Sequence, residues 1–229
     1  MRLVHGVVCA VALALVVPTV AAQDPQGEKD RAVAGGGITA PGWTARLDAR
    51  SIKEGRAITD SKFVQKGNDF ILNIGPAASY WNPKNVAKGD YTVKATIRNL
   101  KSNAGHPHSA GIFIGGQGLD SDATQAYTYC VVYTNGAAMV RQFTGVGKPL
   151  TIFGGSQAQH INAAVKPEGP DGATNEIAWT VKGGVATCSI NGTAVATVEA
   201  GKMPSTDGIY GIRVTHNVDL TVAGFGLSK

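Results

Sequence analysis

The chain has 229 residues, of which 30 are glycine and only 16% are charged. This composition is typical of short strands joined by tight turns, and the length suits one large all-β domain with a sizeable core. The net charge of +5 comes from single, scattered lysines and arginines rather than a basic stripe interleaved with aromatic residues. We therefore predict no nucleic-acid partner.

Residues 1–22 have the features of a secretory signal peptide. Arg2 gives a positive start, residues 7–17 form an uncharged apolar run, and residues 20–22 are small enough for cleavage. The apolar run is shorter than the roughly 20 residues that a membrane span needs, so a membrane anchor is the less favoured alternative. We predict a secreted or periplasmic protein without a transmembrane segment after signal cleavage.

Residues 23–40 are polar and rich in glycine, and we interpret them as a flexible lead-in to a domain spanning residues 41–229. The domain consists of short runs in which apolar and polar residues alternate, which is typical of strands with one buried face. No stretch has the periodicity of an amphipathic helix of three turns. The early predicted strands are 43–47, 62–65, 70–74 and 80–83, the last of them ended by Pro83.

Hairpin turns give the strongest local signal. Asn135-Gly136, Gly183-Gly184 and Asn191-Gly192 each stand between two alternating runs. These dipeptides allow positive φ at both turn residues, as two-residue hairpin turns require. Many short strands without helices predict an all-β fold, a jelly-roll sandwich of two antiparallel sheets.

Two cysteines, Cys130 and Cys188, remain after the predicted cleavage. Export would place them in an oxidising compartment, where a disulfide can persist. Strand alternation points both side chains towards the core. They could meet there as a disulfide or remain two buried thiols, and the sequence leaves both interpretations open.

The richest candidate surface lies within residues 89–143. Tyr127, Tyr129 and Tyr133 are spaced two and four residues apart on one predicted strand, so they share a face, with Arg141 on the partner strand. Aromatic rings stack on the C–H faces of sugars while phenols and guanidinium groups form hydrogen bonds. The row therefore predicts a ligand-binding surface for carbohydrate, and packing of each ring at the edge of the core is the alternative.

Trp81, His106 and His108 are predicted at the rim of this surface. The His-x-His pair supplies two ligands, whereas a metal site needs at least three, so the pair alone predicts no metal site. Asp120 and Asp122 form an Asp-x-Asp loop that can hold Ca²⁺, but no glycine-centred twelve-residue loop follows them. We predict no cofactor and leave Ca²⁺ as an open alternative.

A recognisable order of strands and turns is carried by the segments 42–44, 89–93, 110–114, 175–176, 190–193, 207–214 and 222–225. Their order resembles the concanavalin A-like, or laminin G-like, sandwich. The nearest branch is the secreted bacterial domains related to the 3-keto-disaccharide hydrolase family. The resemblance implies two curved antiparallel sheets, in a family whose members mostly bind or process sugars.

Three hypotheses of function follow, and we favour the first, an exported non-catalytic domain that binds carbohydrate or a glycan-bearing surface. The second is a glycoside-processing hydrolase, as the resemblance implies, with His106, His108 or Asp120 as its base. The Glu-x-Asp-x-x-Glu pattern of glycosidases with this fold is absent from the strands, and residues 154–158 lack the strand–turn–helix context of a nucleophile elbow. The third is a structural or interaction protein of the cell envelope.

Overall fold

The structure is a computed structural model that describes residues 28–145 and 149–229. The predicted signal peptide and the first part of the predicted lead-in lie outside the described residues. Strand is the main secondary structure of the described chain, which also has one short α-helix, α1 (Ala49–Lys53), and two 3₁₀ turns. None of the described helices has the length and apolar character needed to cross a membrane.

Two facing sheets form the domain. In chain order the strands are β1 (Gly37–Ile38), β2 (Thr44–Leu47), β3 (Lys62–Lys66), β4 (Asp69–Ile74), β5 (Ala78–Ala87), β6 (Tyr91–Ser102), β7 (Ser109–Gln117), β8 (Ala126–Tyr133), β9 (Ala138–Thr144), β10 (Leu150–Gly154), β11 (Ala173–Lys182), β12 (Val185–Ile190), β13 (Thr193–Val198), β14 (Gly208–Val214) and β15 (Val218–Ser228). The larger sheet has the order β1-β3-β4-β15-β6-β11-β12-β13, and the smaller has the order β10-β9-β8-β7-β14-β5-β2. This arrangement confirms the predicted jelly-roll sandwich.

The main core lies between the two sheets, where one face of each strand is buried. In β11 every second residue is buried, including Ile177 and Trp179. The strands β7 and β8 differ because they are buried on both faces. A second apolar cluster, which we call the outer layer, therefore covers the face of the seven-stranded sheet that points away from the core. It comprises Trp81, Phe113, Leu119, Tyr127, Tyr129, Val131, Tyr133, Ala137 and Met139.

A disulfide joins the two sheets. Cys130 of β8 and Cys188 of β12 meet in the core and are bonded to each other. Of the two interpretations that the sequence left open, the structure shows the disulfide. Such bonds persist in oxidising compartments.

The predicted hairpin turns join the strands on which they were expected. Gly183 and Gly184 both have positive φ, as do Asn191 and Gly192. At the turn between β8 and β9 only Gly136 has positive φ, at 88°. This connection is therefore not the two-residue turn with two positive φ values that its Asn-Gly dipeptide predicts.

The prediction that Pro83 ends its strand is wrong, since β5 runs through it to Ala87. The pairing of β5 with β14 passes from Trp81 opposite Gly211 directly to Val86 opposite Ile209. Residues 82–85 are therefore a bulge outside the hydrogen-bonded ladder. At such a position the missing N–H of proline removes no ladder bond.

Candidate functional site

The tyrosine row lies in the outer layer. Tyr127, Tyr129 and Tyr133 share one face of β8, with Tyr129 opposite Arg141 and Tyr127 opposite Phe143 on β9. The three tyrosines are only 1%, 3% and 6% exposed. Tyr127 packs against Phe143 with ring centroids 4.9 Å apart. The three rings are thus part of a packed layer, and only one edge of this layer reaches the surface.

Trp81 belongs to the same buried layer but lies on β5, which β7 and β14 separate from β8. Burial raises the pKa of Tyr127, of Tyr129 and of Tyr133, so the phenols stay protonated and can donate hydrogen bonds. The hydroxyl groups of Tyr127 and Ser79 lie 2.8 Å apart. The hydroxyl of Tyr133 donates to the sulfur of Met139 at 3.6 Å.

A buried ion pair crosses the outer layer. Arg213 of β14 is 4% exposed, and its terminal nitrogens donate to the two carboxylate oxygens of Asp48 at 2.5 and 2.6 Å. Its guanidinium also lies 5.5 Å from the ring centroid of Tyr129. Burial alone would lower the pKa of Arg213, but the charge of Asp48 raises it well above the usual value. Arg213 therefore stays charged, and its guanidinium engages both carboxylate oxygens of Asp48.

A pocket of about 210 Å³ opens at the edge of this layer, where Tyr129, Tyr133 and Arg141 lie beside Arg213 and His216. Arg141 is half-buried and donates through Nε to Thr151 Oγ1 at 3.0 Å. None of the ion pairs among the described residues includes Arg141. The pocket thus combines aromatic rings with a guanidinium that has no acidic partner in the described part of the chain.

Three histidines meet at one end of this pocket. His106 and His108 come from the connection between β6 and β7, and His216 comes from the turn between β14 and β15. The ring centroid of His108 lies 4.3 Å from those of both His106 and His216. Within residues 28–145 and 149–229, these three form the one group of His, Cys, Asp or Glu residues close enough to share a metal ion, with ligand atoms within 4.8 Å of one another.

His216 is a functional candidate that the sequence did not reveal. It stands in an ordinary-looking turn between two strand runs, far along the chain from His108. It reaches the pair because β14 is hydrogen-bonded to β7, with Val214 opposite Ala110 and Thr215 donating to the carbonyl of Ser109. Only the pairing of these two strands, which no local pattern encodes, would have identified it.

The three rings differ in exposure. The side chains of His106, His108 and His216 are 54%, 2% and 16% exposed. Burial, followed by the charges of His216 and His106, lowers the pKa of His108 to about 3. His108 is therefore a neutral imidazole near pH 7, the form in which histidine binds metal ions.

Two acidic side chains from the predicted lead-in reach the histidines. Oε2 of Glu28 lies 2.9 Å from Nδ1 of His106 and 3.8 Å from Nε2 of His108. Oδ1 of Asp30 lies 2.8 Å from Nδ1 of His216. Even so, Glu28 Oε2, His108 Nε2 and His216 Nδ1 are buried without a hydrogen bond of good geometry to any described residue.

The described part of the lead-in is bonded to the sandwich. The backbone N–H of Arg31 donates to Asn217 Oδ1 at 2.8 Å, and the amide of Asn217 donates to the carbonyl of Lys29 at 3.1 Å. The side chain of Arg31 forms an ion pair with Asp219. Ser51 donates to Asp30 at 2.7 Å. These bonds give Glu28 and Asp30 a defined place beside the histidines.

The Asp120–Asp122 loop is engaged by an arginine. Arg46 donates through Nε to Asp122 Oδ1 at 3.0 Å and through Nη1 to the carbonyl of Asp120 at 2.8 Å. A calcium ion bound in this loop would have to displace the guanidinium of Arg46 from both oxygens.

No family model and no curated protein sequence matches the chain. Among solved structures, the carbohydrate-binding module CBM66 from Bacillus subtilis is similar with a TM-score of 0.57 and 9% identity, over 85% of this chain and 99% of that one. The carbohydrate recognition domain of Emp47p has a TM-score of 0.50 and 10% identity, over 86% of this chain and 92% of that one. The metal-free Emp46p carbohydrate recognition domain has a TM-score of 0.50 and 12% identity, over 81% and 87%. The chain shares its β-sandwich fold with these carbohydrate-binding domains.

Proposed function

We propose that the protein is an exported, non-catalytic domain that binds carbohydrate, or a glycan-bearing surface, at the outer face of its seven-stranded sheet. The observation that carries this proposal is the pocket in which Tyr129 and Tyr133 lie beside Arg141. Sugar sites combine apolar rings with a few well-placed hydrogen-bonding groups, and this pocket offers both. The structural neighbours named for carbohydrate binding support the same class of ligand.

The predicted binding residues take different parts in this proposal. Tyr129, Tyr133 and Arg141 line the pocket and would contact the sugar, the guanidinium donating hydrogen bonds to its hydroxyls. Tyr127 and Trp81 are buried and would support the rings from within the outer layer. His106 and His108 lie behind His216 and do not line the pocket; His108 is buried and would support His216, while the exposed ring of His106 could contact a longer glycan.

Two features support export and the absence of catalysis. The disulfide between the sheets fits an oxidising compartment, as does the predicted signal peptide. Of the two acids that line the pocket, Asp48 has both oxygens hydrogen-bonded to Arg213, and Asp30 accepts a hydrogen bond from Ser51 and lies 2.8 Å from His216. Both carboxylates therefore already have partners within the protein, which supports binding over catalysis.

A glycan-array screen of the purified protein, with Ca²⁺ and with chelator, tests the proposal. Once a glycan is identified, we expect Arg141→Ala to weaken its affinity about tenfold or more, since a hydrogen bond to a charged group contributes about 1.5–3 kcal/mol. Tyr129→Phe keeps the ring and removes only the phenol, so its loss should be smaller, about 0.5–1.5 kcal/mol. Binding titrations by calorimetry measure both.

Arg98→Ala is the matched control, because Arg98 is exposed on the eight-stranded sheet and makes only a long ion pair, 3.8 Å, with Asp69. Its affinity should equal that of the unmodified protein. An array without any bound glycan, or binding that Arg141→Ala leaves unchanged, would refute the proposed site. Loss of binding in chelator that Ca²⁺ restores and Zn²⁺ does not would support a calcium ion at Asp120 and Asp122.

The position of the histidine cluster favours one second candidate, a glycoside-processing hydrolase. His216 lines the pocket and contacts His108, so an imidazole base would stand beside a bound sugar. Turnover of a glycoside that His106→Ala abolishes would support this candidate over simple binding. A protein with neither glycan affinity nor turnover would instead be an envelope interaction protein.

A further inference from the structure

We propose that His106, His108 and His216, together with the carboxylate of Glu28, bind one divalent first-row transition-metal ion. Zn²⁺ is the first ion to test. The site would join the lead-in to two connections that are distant in sequence. It does not depend on the carbohydrate proposal, because metal binding can be measured without any sugar.

The donor set suits such an ion. Imidazole nitrogens are the preferred ligands of Zn²⁺, Cu²⁺ and Ni²⁺, and three of them with a carboxylate fill a four-coordinate shell. The ligand atoms of the histidines lie within 4.8 Å of one another. Zn–N bonds of about 2.0–2.1 Å require these ligand atoms to lie closer to one another than 4.8 Å. His106 has an exposed side chain, so its ring can turn towards a bound ion without disturbing the core.

Buried polar atoms without a hydrogen-bond partner indicate that this cluster binds a ligand. Buried nitrogen and oxygen atoms nearly always have a hydrogen-bond partner in folded proteins. Here His108 Nε2, which belongs to a side chain only 2% exposed, and Glu28 Oε2 both lack one, and they lie 3.8 Å apart. A cation between them would satisfy the lone pairs of both atoms at once.

The surroundings complete the site. Asp30 Oδ1 lies 2.8 Å from Nδ1 of His216, short of good hydrogen-bond geometry, and Asp30 is itself held by Ser51, so a small turn of the ring would let this carboxylate orient it. Carboxylates that orient metal-bound histidines in this way are a regular feature of metal sites. Glu28 and Asp30 together also supply the two negative charges that balance a divalent cation.

The decisive experiment is a calorimetric titration of Zn²⁺ into the protein expressed from its complete coding sequence, purified without an affinity tag and stripped with chelator. We expect one ion bound per chain and a melting temperature several degrees higher in excess Zn²⁺, because an ion that binds only the folded state stabilises it. Bound Co²⁺ should give the visible absorption of an ion with nitrogen ligands at low coordination number.

Three substitutions locate the ion. His106→Gln should lower the Zn²⁺ affinity at least tenfold while the chain still folds, because this ring is exposed. Asp30→Asn should lower it about 10–100-fold, the usual loss for a partner of a metal-bound histidine. His160→Gln is the matched control, since His160 is the one other histidine in the described residues and lies outside the cluster.

Absence of both heat and a melting-temperature shift with Zn²⁺ and Co²⁺ would overturn the proposal. So would an affinity that His106→Gln and Asp30→Asn leave unchanged, because the ion would then be bound elsewhere. Circular dichroism of each variant establishes that a loss of affinity does not reflect a loss of folding.

Discussion

Arg213 is a cation buried in an apolar layer, and among the described residues its one acidic partner, Asp48, compensates its charge. Its guanidinium has aromatic rings of the outer layer within 6 Å and two hydrogen bonds to Asp48. Removal of one partner from a buried ion pair leaves an uncompensated charge, which costs much more than the intact pair contributes. Asp48 is therefore a structural requirement of the pocket wall.

We expect Asp48→Ala to lower the free energy of unfolding by about 3 kcal/mol, since it strands the charge of Arg213. Urea denaturation followed by fluorescence measures the change. The double variant Asp48→Ala, Arg213→Met should regain most of the loss because no charge is left buried. A double variant no more stable than the single one would contradict this account.

A matched surface pair gives the comparison for Asp48. Asp69 forms a 3.8 Å ion pair with Arg98, and both side chains are well exposed. Exposed pairs contribute about 0–1 kcal/mol, so Asp69→Ala should hardly change the denaturation midpoint.

Asp219 makes the stability of the folded chain depend on acidity. Burial raises the pKa of Asp219, but hydrogen bonds from Arg31, Asn73 and Asn103 outweigh it and lower the pKa below the usual 3.8. A carboxyl with a lowered pKa stabilises the fold above its unfolded-state pKa, and this contribution disappears as the pH falls through the folded-state pKa. The stability of the protein should therefore fall below about pH 4.

Asp219→Asn tests that dependence. The variant should be less stable than the original protein at pH 7, and the gap between them should narrow as the pH falls below 4. Urea midpoints collected from pH 7 to pH 2 measure it. A gap that stays constant across this range would show that the ionised form of Asp219 adds nothing.

At the scale of single elements, the turn between β14 and β15 holds the lead-in. Asn217 in this turn has a φ of 52°, a left-handed conformation that asparagine tolerates better than most residues. Its side chain bonds the backbone of Arg31 and of Lys29. The adjacent His216 contacts Asp30 of the same segment. This one turn therefore fixes the position of the lead-in and also carries the third histidine, His216.

Asn217→Gly should free the lead-in selectively, because glycine keeps the positive φ and removes only the two side-chain hydrogen bonds. Two such bonds contribute about 2 kcal/mol, so amide hydrogen exchange at residues 31–33 should accelerate while exchange in β8 stays slow. Asn191→Gly, at another asparagine with positive φ, is the control and should leave residues 31–33 protected. Equal protection in both variants would refute this role of Asn217.

The disulfide is the one covalent cross-link between the sheets, apart from the chain itself, among the described residues, and it closes a separation of 58 residues. Replacing both Cys130 and Cys188 by Ala should lower the free energy of unfolding by about 2–5 kcal/mol, because the unfolded chain gains freedom. Urea denaturation measures the loss, and reductant should reproduce it in the original protein. Reductant should have no effect on the variant, and an effect there would point to another cause.

At the scale of the whole molecule, the sequence predicts those structural features that depend on residues close together in the chain. Alternation locates most strands and places Tyr127, Tyr129 and Tyr133 on one face, because side-chain direction repeats every second residue. The path of β5 through Pro83 escapes prediction, since a bulge depends on the partner strand. The burial of the tyrosine row also escapes it, because local alternation does not reveal what covers the outer face of a sheet.

The histidine cluster shows the same limit for the candidate site. The sequence singles out His106 and His108 by their spacing, yet the third ring and both carboxylates come from remote segments. Such groups meet only after β7 has paired with β14 and the lead-in has docked on Asn217. These groups lie close together because of the strand topology, which the local pattern of residues does not predict.

The order of the larger sheet also bears on how the chain is made. β15 follows every other described strand, yet it lies between β4 and β6, pairing Leu220 with Leu72 and Val222 with Ile97. Until this segment has been synthesised, β4 and β6 lack the strand that lies between them, and their unpaired edges favour aggregation. Such long-range pairing makes folding slow. Under the proposed export, that delay would keep the polypeptide unfolded during translocation.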